Sequence, residues 1–537
     1  MNIGTLGQDS IKKFGEYPNF YFGDRWYSNV ELDIESNKLG NALKSLGIKR
    51  GDRVAIQMPN SPIVLSSFTA IFKIGAVAVP VNPLLRPEQL AYIFKNSGAT
   101  AVITSPEYVP WIQAAQKGAP ELKFVIVTER SDMAGTIFYD KLVTAQAASL
   151  KIEEMANDDN AALIYTAGTT GPSKGVIHTH YSLYSGSLSY ADFLACYSMV
   201  TLDTHCKSMK ERTKSVTEVH QLVSGFDRNE TSLFVLPLSH SYGLSILLVS
   251  FFVAGRGIIM KWFNPEGALK LIEEHKVNLF LGVPAMYTMI LNHPSFGKYD
   301  LSSLRECSTG GAALPADVAR QWKEKTGLDI LEGWGMTETG AATCGNPPGL
   351  PPRYGSIGKS MIKSNTMAIL DSNDQELPPG ATGEIAVKGP AMMKGYWNMP
   401  EETAEVMRNG WMHTGDVGHR DDEGFFYITD RKKDIIIRGG ENVSPTEVEE
   451  VLLQISRIHE AGVIGVPDKV YGEEIKAFCV ISKDDPVTVD EIIAYCKKNL
   501  PTFKVPKTVE FVNSLPRNTM GKLMRVELRK QEKEKKS

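Results

Sequence analysis

Eleven residues, Tyr165-Thr-Ala-Gly-Thr-Thr-Gly-Pro-Ser-Lys-Gly175, hold three glycines, four aliphatic hydroxyls and one lysine. They make poor core and a poor helix. They do make a loop whose backbone N–H groups and hydroxyls can wrap an anion, with Lys174 as a point charge, and polyphosphate is the obvious candidate. The usual phosphate-loop spacing fails, because Lys174 is followed by Gly175 rather than by serine or threonine. Taken alone, the stretch reads equally as a phosphate cradle or as a flexible Gly/Ser surface turn.

Four more stretches carry unusual chemistry. Gly333-Trp-Gly-Met-Thr-Glu338 sets an aromatic plane beside glycines and a hydroxyl–carboxylate pair. The plane can stack on a nucleobase, and the pair can hold Mg²⁺ with its water shell. Trp411-Met-His-Thr-Gly-Asp416 puts a carboxylate after a glycine turn, suited to two vicinal ribose hydroxyls. Arg431 stands in a charged run, and Pro516-Arg-Asn-Thr-Met-Gly-Lys522 presents a lysine on a loop about fifteen residues from the end. Each has a plain alternative: core tryptophan, turn aspartate, surface arginine, tail lysine. Their joint occurrence with the 165–175 loop favours a nucleotide site.

The elements that must position these residues alternate. Apolar Ala161–Ile164 enters the loop and Val176-Ile177 leaves it, so the spacing predicts strand, loop, strand. Over residues 28–150, helical spacing at Leu32, Leu39, Leu43 and Leu46 gives way to the strand Val54–Gln57, a helix from Asn60 to Phe72 and a buried strand at 75–80. A helix over Pro87–Ser97 and a strand over Ala101–Thr104 follow. This alternation predicts an α/β fold with doubly wound, mostly parallel sheets, and it resumes with a helix over 264–275, a strand over 278–281 and a helix over 285–291. From about 350 the chain turns to Pro/Gly-rich turns and short strands such as Thr382–Gly389 and Phe425–Thr429, a β-rich subdomain. After the charged run Asp430–Asp434 comes a strand and glycine turn, Ile435–Val443. Ser444 is then expected as helix N-cap, Pro445 at the first position and Glu447 closing a capping box. The run is therefore the expected linker into a small α+β domain. The segment 196–227, with Cys196, His205, Cys206 and His220, matches no common metal-ligand spacing and reads as an exposed helical excursion or lid-like loop.

Composition narrows the class. At 537 residues the chain is too long for one core. The net charge of −4 gives no electrostatic case for nucleic acid. Six cysteines without CxxC spacing argue against a disulfide framework or zinc knuckle and for a reducing, cytoplasmic setting. No signal peptide is visible, and the apolar run 244–255 is shorter than the about 20 residues a membrane span needs, so it reads as a buried helix.

In this order and over essentially the whole chain, the motifs resemble those of the adenylate-forming superfamily: acyl-CoA synthetases, peptide-synthetase adenylation domains and firefly-type luciferases. The resemblance implies a large N-terminal domain over 1–430, its β-rich subdomain at about 350–430, a hinge linker at 431–434 and a mobile domain over 435–537. It implies that Thr166, Ala167, Gly168, Thr169, Thr170, Gly171, Ser173 and Lys174 hold the β- and γ-phosphates of ATP. Leu236–Gly243 matches the segment that gates the acyl pocket, with His240 as gate residue. Gly310–Pro315, including Gly311 and Ala312, matches the adenine-side wall, continued by Glu332, Gly333, Trp334, Gly335 and Met336. Thr337 and Glu338 match the magnesium motif, Asp416 and Arg431 the ribose contacts, and Lys522 the C-terminal catalytic lysine.

The implied reaction has two steps. A carboxylate attacks the α-phosphate of ATP and releases pyrophosphate; then a thiol attacks the acyl-adenylate and AMP leaves. Lys522 serves the first step and would obstruct the second. The small domain therefore rotates about Lys433, and Gly439, Gly440 and Glu441 then line the pantetheine tunnel. With no fused carrier domain expected after Lys522, coenzyme A is the expected thiol. A stand-alone carrier-loading enzyme and a luciferase-like oxygenase are the alternatives. The gate segment 235–242 has no aspartate to pair with an amino acid's ammonium. Acetate-activating relatives plug the pocket with a tryptophan where this chain has Gly335. The acid is then expected to be apolar and larger than propionate: medium-chain, aromatic or alicyclic. Its pocket is expected at His240, Tyr242, Gly243, Ser308, Thr309, Gly310 and Gly335, in a monomer or homodimer.

Overall fold

The structure is a computed structural model that describes residues 1–129, 133–166, 172–202, 230–347, 350–361, 365–482, 485–517 and 523–536. The chain divides into two compact units, Met1–Gly168 with Pro172–Thr366 and Val387–Met412, and Met367–Ala386 with His413–Ser537.

The first unit carries two mostly parallel sheets. One runs Gly395–Tyr396, Lys174–Thr179, Asn160–Thr166, Val77–Pro80, Arg53–Gln57, Ala99–Thr104, Phe124–Val127, Thr136–Phe138. It is parallel from Asn160–Thr166 onward, and antiparallel where Lys174–Thr179 and Gly395–Tyr396 join its edge. The other places Ile330–Trp334, Glu306–Thr309, Leu279–Gly282, Thr231–Phe234, Arg256–Ile259 and Pro18–Phe22 in parallel. Val54, Ala55, Val77, Val79, Val102 and Ile103 are buried, the pattern of strands covered on both faces. The expected strands and helices appear within a residue or two. Pro62–Lys73 starts one position after an extended Ser61, and Pro87–Ser97 ends on a left-handed Gly98. The apolar run at 244–255 lies mostly in Ser241–Val253, a core helix buried nearly all round. Among the described residues no helix is long and apolar enough to cross a membrane.

The second unit opens with the β-rich part, strands Thr366–Leu370, Gly383–Lys388, Trp411–Arg420 and Phe426–Arg431. An α+β part follows. The hairpin Ile436–Arg438/Glu441–Val443 and strands Gly472–Ile481, Ile458–Asp468 and Thr508–Phe511 pack helices Pro445–Leu453 and Val489–Asn499 around Val448, Leu452, Ile475, Ala477 and Ile492. Ser444 caps the first of these helices as expected, accepting the Glu447 N–H at 3.1 Å, with Pro445 at its start. The capping box does not close. The Glu447 carboxylate is drawn off by Lys504, whose Nζ lies 2.6 Å and 2.7 Å from its two oxygens, a charged partner the local sequence could not reveal. Cys307, Cys344, Cys479 and Cys496 are free and buried. Most of the 196–227 segment lies outside the described residues.

Candidate active site

In the first unit, Glu306–Thr309 and Ile330–Trp334 end side by side, with Thr309 paired to Glu332, and the chain leaves both strands through glycines. Gly311 has φ +83, a left-handed conformation that a side chain would strain. The Glu332 carboxylate accepts the Leu314 N–H at 3.0 Å, clamping the 310–315 loop over the strand ends. Its burial raises the Glu332 pKa to about 7. Asn346 braces the same corner, its Nδ2 donating to the carbonyls of Glu332 and Ser356, each at 2.9 Å.

An open cavity lies against these strand ends. Its wall joins Gly310, Gly311, Glu332, Gly333, Trp334, Gly335, Met336 and Thr337 to His240, Tyr242, Ser308 and Thr309. Most of the residues assigned from the sequence to adenine and acyl group therefore share one cavity. Gly243 and Ala312 are not on its wall. Gly243 is packed under Pro237, whose carbonyl oxygen would lie 2.3 Å from any Cβ there. His240 caps the buried helix Ser241–Val253, its Nδ1 accepting the Tyr242 N–H at 3.3 Å. Enclosure lowers the His240 pKa to about 4, so the ring is neutral at pH 7 with its proton on Nε2. Gly335 is constrained by backbone: a Cβ would sit 1.3 Å from the Ala341 carbonyl oxygen. No side chain fits there, tryptophan included, unless the 335–341 turn moves.

The turn Thr337–Thr339 follows, and its groups are tightly held. Thr337 Oγ1 lies 3.1 Å from Ser241 Oγ, and His178 Nε2 lies 2.6 Å from the Thr337 carbonyl. Burial lowers the His178 pKa to about 4, so the neutral ring donates this bond. Glu338 is buried, and its Oε1 accepts the Tyr396 hydroxyl at 3.0 Å. The Lys174 ammonium sits 4.8 Å over the Tyr396 ring centre. One tyrosine thus joins the Lys174 ammonium to the buried carboxylate. Sequence reasoning missed Tyr396 and His178; the available signal was the Gly395-Tyr-Trp run, and, two residues beyond Val176, a histidine facing inward on an alternating strand. A lone buried carboxylate suits Mg²⁺, which keeps most of its waters and takes its other ligands from substrate phosphates. Thr166 and Ser173 flank the loop, and the Tyr92 hydroxyl donates to the Ser173 carbonyl at 2.9 Å. Ala167, Gly168, Thr169, Thr170 and Gly171 lie outside the described residues, as does Lys522.

In the second unit, Asp416 and Arg431 face each other across paired strands, with Arg431 Nε 2.9 Å from Asp416 Oδ1. The Asp416 N–H donates to Thr414 Oγ1 at 3.1 Å, and that hydroxyl donates to the Ile385 carbonyl. Lys433 sits in the tight turn that follows, where the Asp434 N–H donates to the Arg431 carbonyl at 2.8 Å. Gly439 and Gly440, with φ +61 and +89, form the two-residue turn of the 436–443 hairpin and leave Glu441 exposed. Two consecutive left-handed residues are what a tight hairpin needs, and glycine supplies them.

Comparison with known proteins matches residues 7–397 to the family described as AMP-binding enzyme and residues 447–522 to the AMP-binding enzyme C-terminal domain. The chain belongs to the AMP-binding enzyme family. A long-chain-fatty-acid–CoA ligase of Bacillus subtilis (strain 168) is 33% identical over 558 residues, covering 99% of this chain and 95% of that protein. A feruloyl-CoA synthase of an Amycolatopsis species is 33% identical over 510 residues, 93% of each. The ATP-bound crystal structure of MatB from Rhodopseudomonas palustris superposes with a TM-score of 0.87 at 30% identity over all of both chains. The protein is an enzyme of the AMP-forming acid–thiol ligase class, acting on a carboxylic acid, ATP and coenzyme A with Mg²⁺.

Proposed function

We propose that this ligase activates an apolar carboxylic acid larger than propionate, medium-chain, aromatic or alicyclic, and passes the acyl group from its adenylate to coenzyme A. The observation that carries the reading is the single cavity that joins the glycine-rich strand ends to His240, Tyr242 and Ser308. Adenine stacks on Trp334 between the 310–315 loop and Glu332. Thr166, Ser173 and Lys174, with the rest of their loop, hold the leaving pyrophosphate. Glu338 would hold Mg²⁺, whose charge would offset that of the phosphates. Asp416 takes the ribose hydroxyls, and Arg431, 2.9 Å away, holds its carboxylate in place. The names of the two relatives fit an acid of this size and polarity. Cys307, Cys344, Cys479 and Cys496 are free thiols, which suits a reducing compartment such as the cytoplasm.

Catalysis here is positioning and charge stabilisation. In the first step the acid's oxygen bonds to the α-phosphorus and the bond to pyrophosphate breaks, with Lys522 bridging the two as charge builds. In the second, the thiol sulfur bonds to the acyl carbon and AMP leaves. Pyrophosphate–ATP exchange across a panel of carboxylic acids tests the acid. Lys522→Ala is expected to abolish that exchange and to spare CoA acylation from supplied acyl-adenylate; equal loss of both half-reactions would refute the role given to Lys522.

A further inference from the structure

One carboxyl in the cavity has no task in the reaction. Glu306 begins the strand whose far end, Thr309, borders the glycine loop, and it lies on the cavity wall. It is 4% exposed, and among the described residues its carboxyl makes no hydrogen bond. Side chains two apart on a strand share a face, so Glu306 and Ser308 point the same way. Beside them the Tyr190 and Tyr242 rings complete a polar patch at the inner end of a wall otherwise made by Phe193, Cys344 and Met361. Glu230, nearby, has its own partner in Arg305 at 3.7 Å. Burial, then the charge of Glu230, raises the Glu306 pKa to about 8, so at pH 7 the group is an uncharged acid able both to donate and to accept.

The Glu306 carboxyl opens onto the cavity, and the apolar part of the wall offers it no partner. Three rises of about 3.3 Å separate Glu306 from Thr309, so Glu306 stands about 10 Å along the strand from the end that borders the glycine loop, where we place adenylation. We propose that Glu306 reads the far end of the acid: the substrate has an apolar body and, about 10 Å from its reacting carboxyl, a hydroxyl that hydrogen-bonds to Glu306. This rests on the cavity being the acyl site. A site built around such a bond discriminates against the analogue lacking the hydroxyl, because Glu306 is then left unpaired.

The test compares matched acids in pyrophosphate–ATP exchange: 3-phenylpropenoic acid against its 4-hydroxy derivative, and octanoic against 8-hydroxyoctanoic acid. The wild-type enzyme is expected to favour the hydroxylated member of at least one pair by about tenfold or more in kcat/KM. Glu306→Leu should bring that ratio to one or below, and Glu306→Gln should keep part of it. A wild-type ratio near one for both pairs, or a ratio unchanged in Glu306→Leu, overturns the proposal while leaving the ligase reading intact. Exchange with none of the four acids also overturns the proposal, and the ligase reading is then decided by the wider panel of carboxylic acids. The wild-type ratio needs no variant, so a Glu306→Leu protein that fails to fold does not shield the proposal.

Discussion

At the scale of single residues, the active site depends on groups that touch no substrate in the proposed chemistry. Tyr396 holds the Glu338 carboxylate by its hydroxyl and carries the Lys174 ammonium on its ring. Tyr396→Phe keeps the ring and loses the hydrogen bond to a charged group, worth about 1.5 kcal/mol or roughly tenfold in rate. Adenylation is expected to fall by about that factor and to need more Mg²⁺ for half-maximal rate. Magnesium titration of pyrophosphate exchange checks this, and an unchanged half-saturation would separate Tyr396 from the metal. Gly335 teaches a different lesson. From the sequence it marks an absent tryptophan; in the structure it marks a backbone contact with Ala341 that forbids every side chain. The residue type was legible, its reason was not, because close backbone approach leaves no trace in spacing.

At the scale of elements, most of the chain is legible, since apolar periodicity and proline or glycine punctuation report local geometry directly. Pro87–Ser97, the buried Ser241–Val253 helix and the Gly439-Gly440 hairpin all follow from their own residues. What could not be read was partnership over distance: Glu447 with Lys504, 57 positions apart, and Tyr396 with Glu338, 58 apart. The stretch around Lys433 shows how such ties matter. Ser444 Oγ donates to Asp430 Oδ2 at 2.7 Å, and the Thr446 N–H donates to the same oxygen at 3.1 Å, so the helix Pro445–Leu453 is tied to the strand Phe426–Arg431. The hinge we propose at Lys433 must break these bonds as it turns. Lys433→Pro fixes φ at the turn and restricts Lys432 as well. It is expected to spare pyrophosphate exchange and to slow thioester formation by tenfold or more, roughly the effect of removing one of two required states. Rapid-quench measurement of the two half-reactions decides, and undiminished thioester turnover would move the hinge elsewhere.

At the scale of the molecule, buried titratable groups set a pH profile for stability. Burial lowers His178, His180 and His240 from 6.5 to about 4, so each disfavours the fold as pH falls from about 6.5 to about 4. Burial raises Glu306 to about 8 and Glu332 to about 7, from 4.5. These acids are neutral in the fold, and their contribution is lost as pH rises from about 4.5 to about 8. Between about 4.5 and 6.5 the two sets oppose each other; above that only the acids act, each by up to about 1.4 kcal/mol per pH unit. Thermal unfolding is expected to give a Tm nearly level from pH 5 to 6.5 and falling toward pH 8, and Glu306→Gln should flatten the fall. A Tm that climbs across pH 6.5–8 would contradict this reading of the buried acids.

The buried thiols have a consequence of another kind. An enzyme that handles coenzyme A meets thiols and their disulfides at every turnover, and an exposed cysteine would be open to mixed-disulfide capture. Burial keeps Cys307, Cys344, Cys479 and Cys496 out of reach and pushes their thiols toward the unreactive protonated form, Cys479 to about 12 and Cys496 to about 11. Cys307 and Cys344 sit in the first unit, Cys479 and Cys496 in the second. The rate at which a small alkylating reagent labels each pair therefore clocks the opening of one unit at a time, giving the protein a built-in pair of local unfolding reporters.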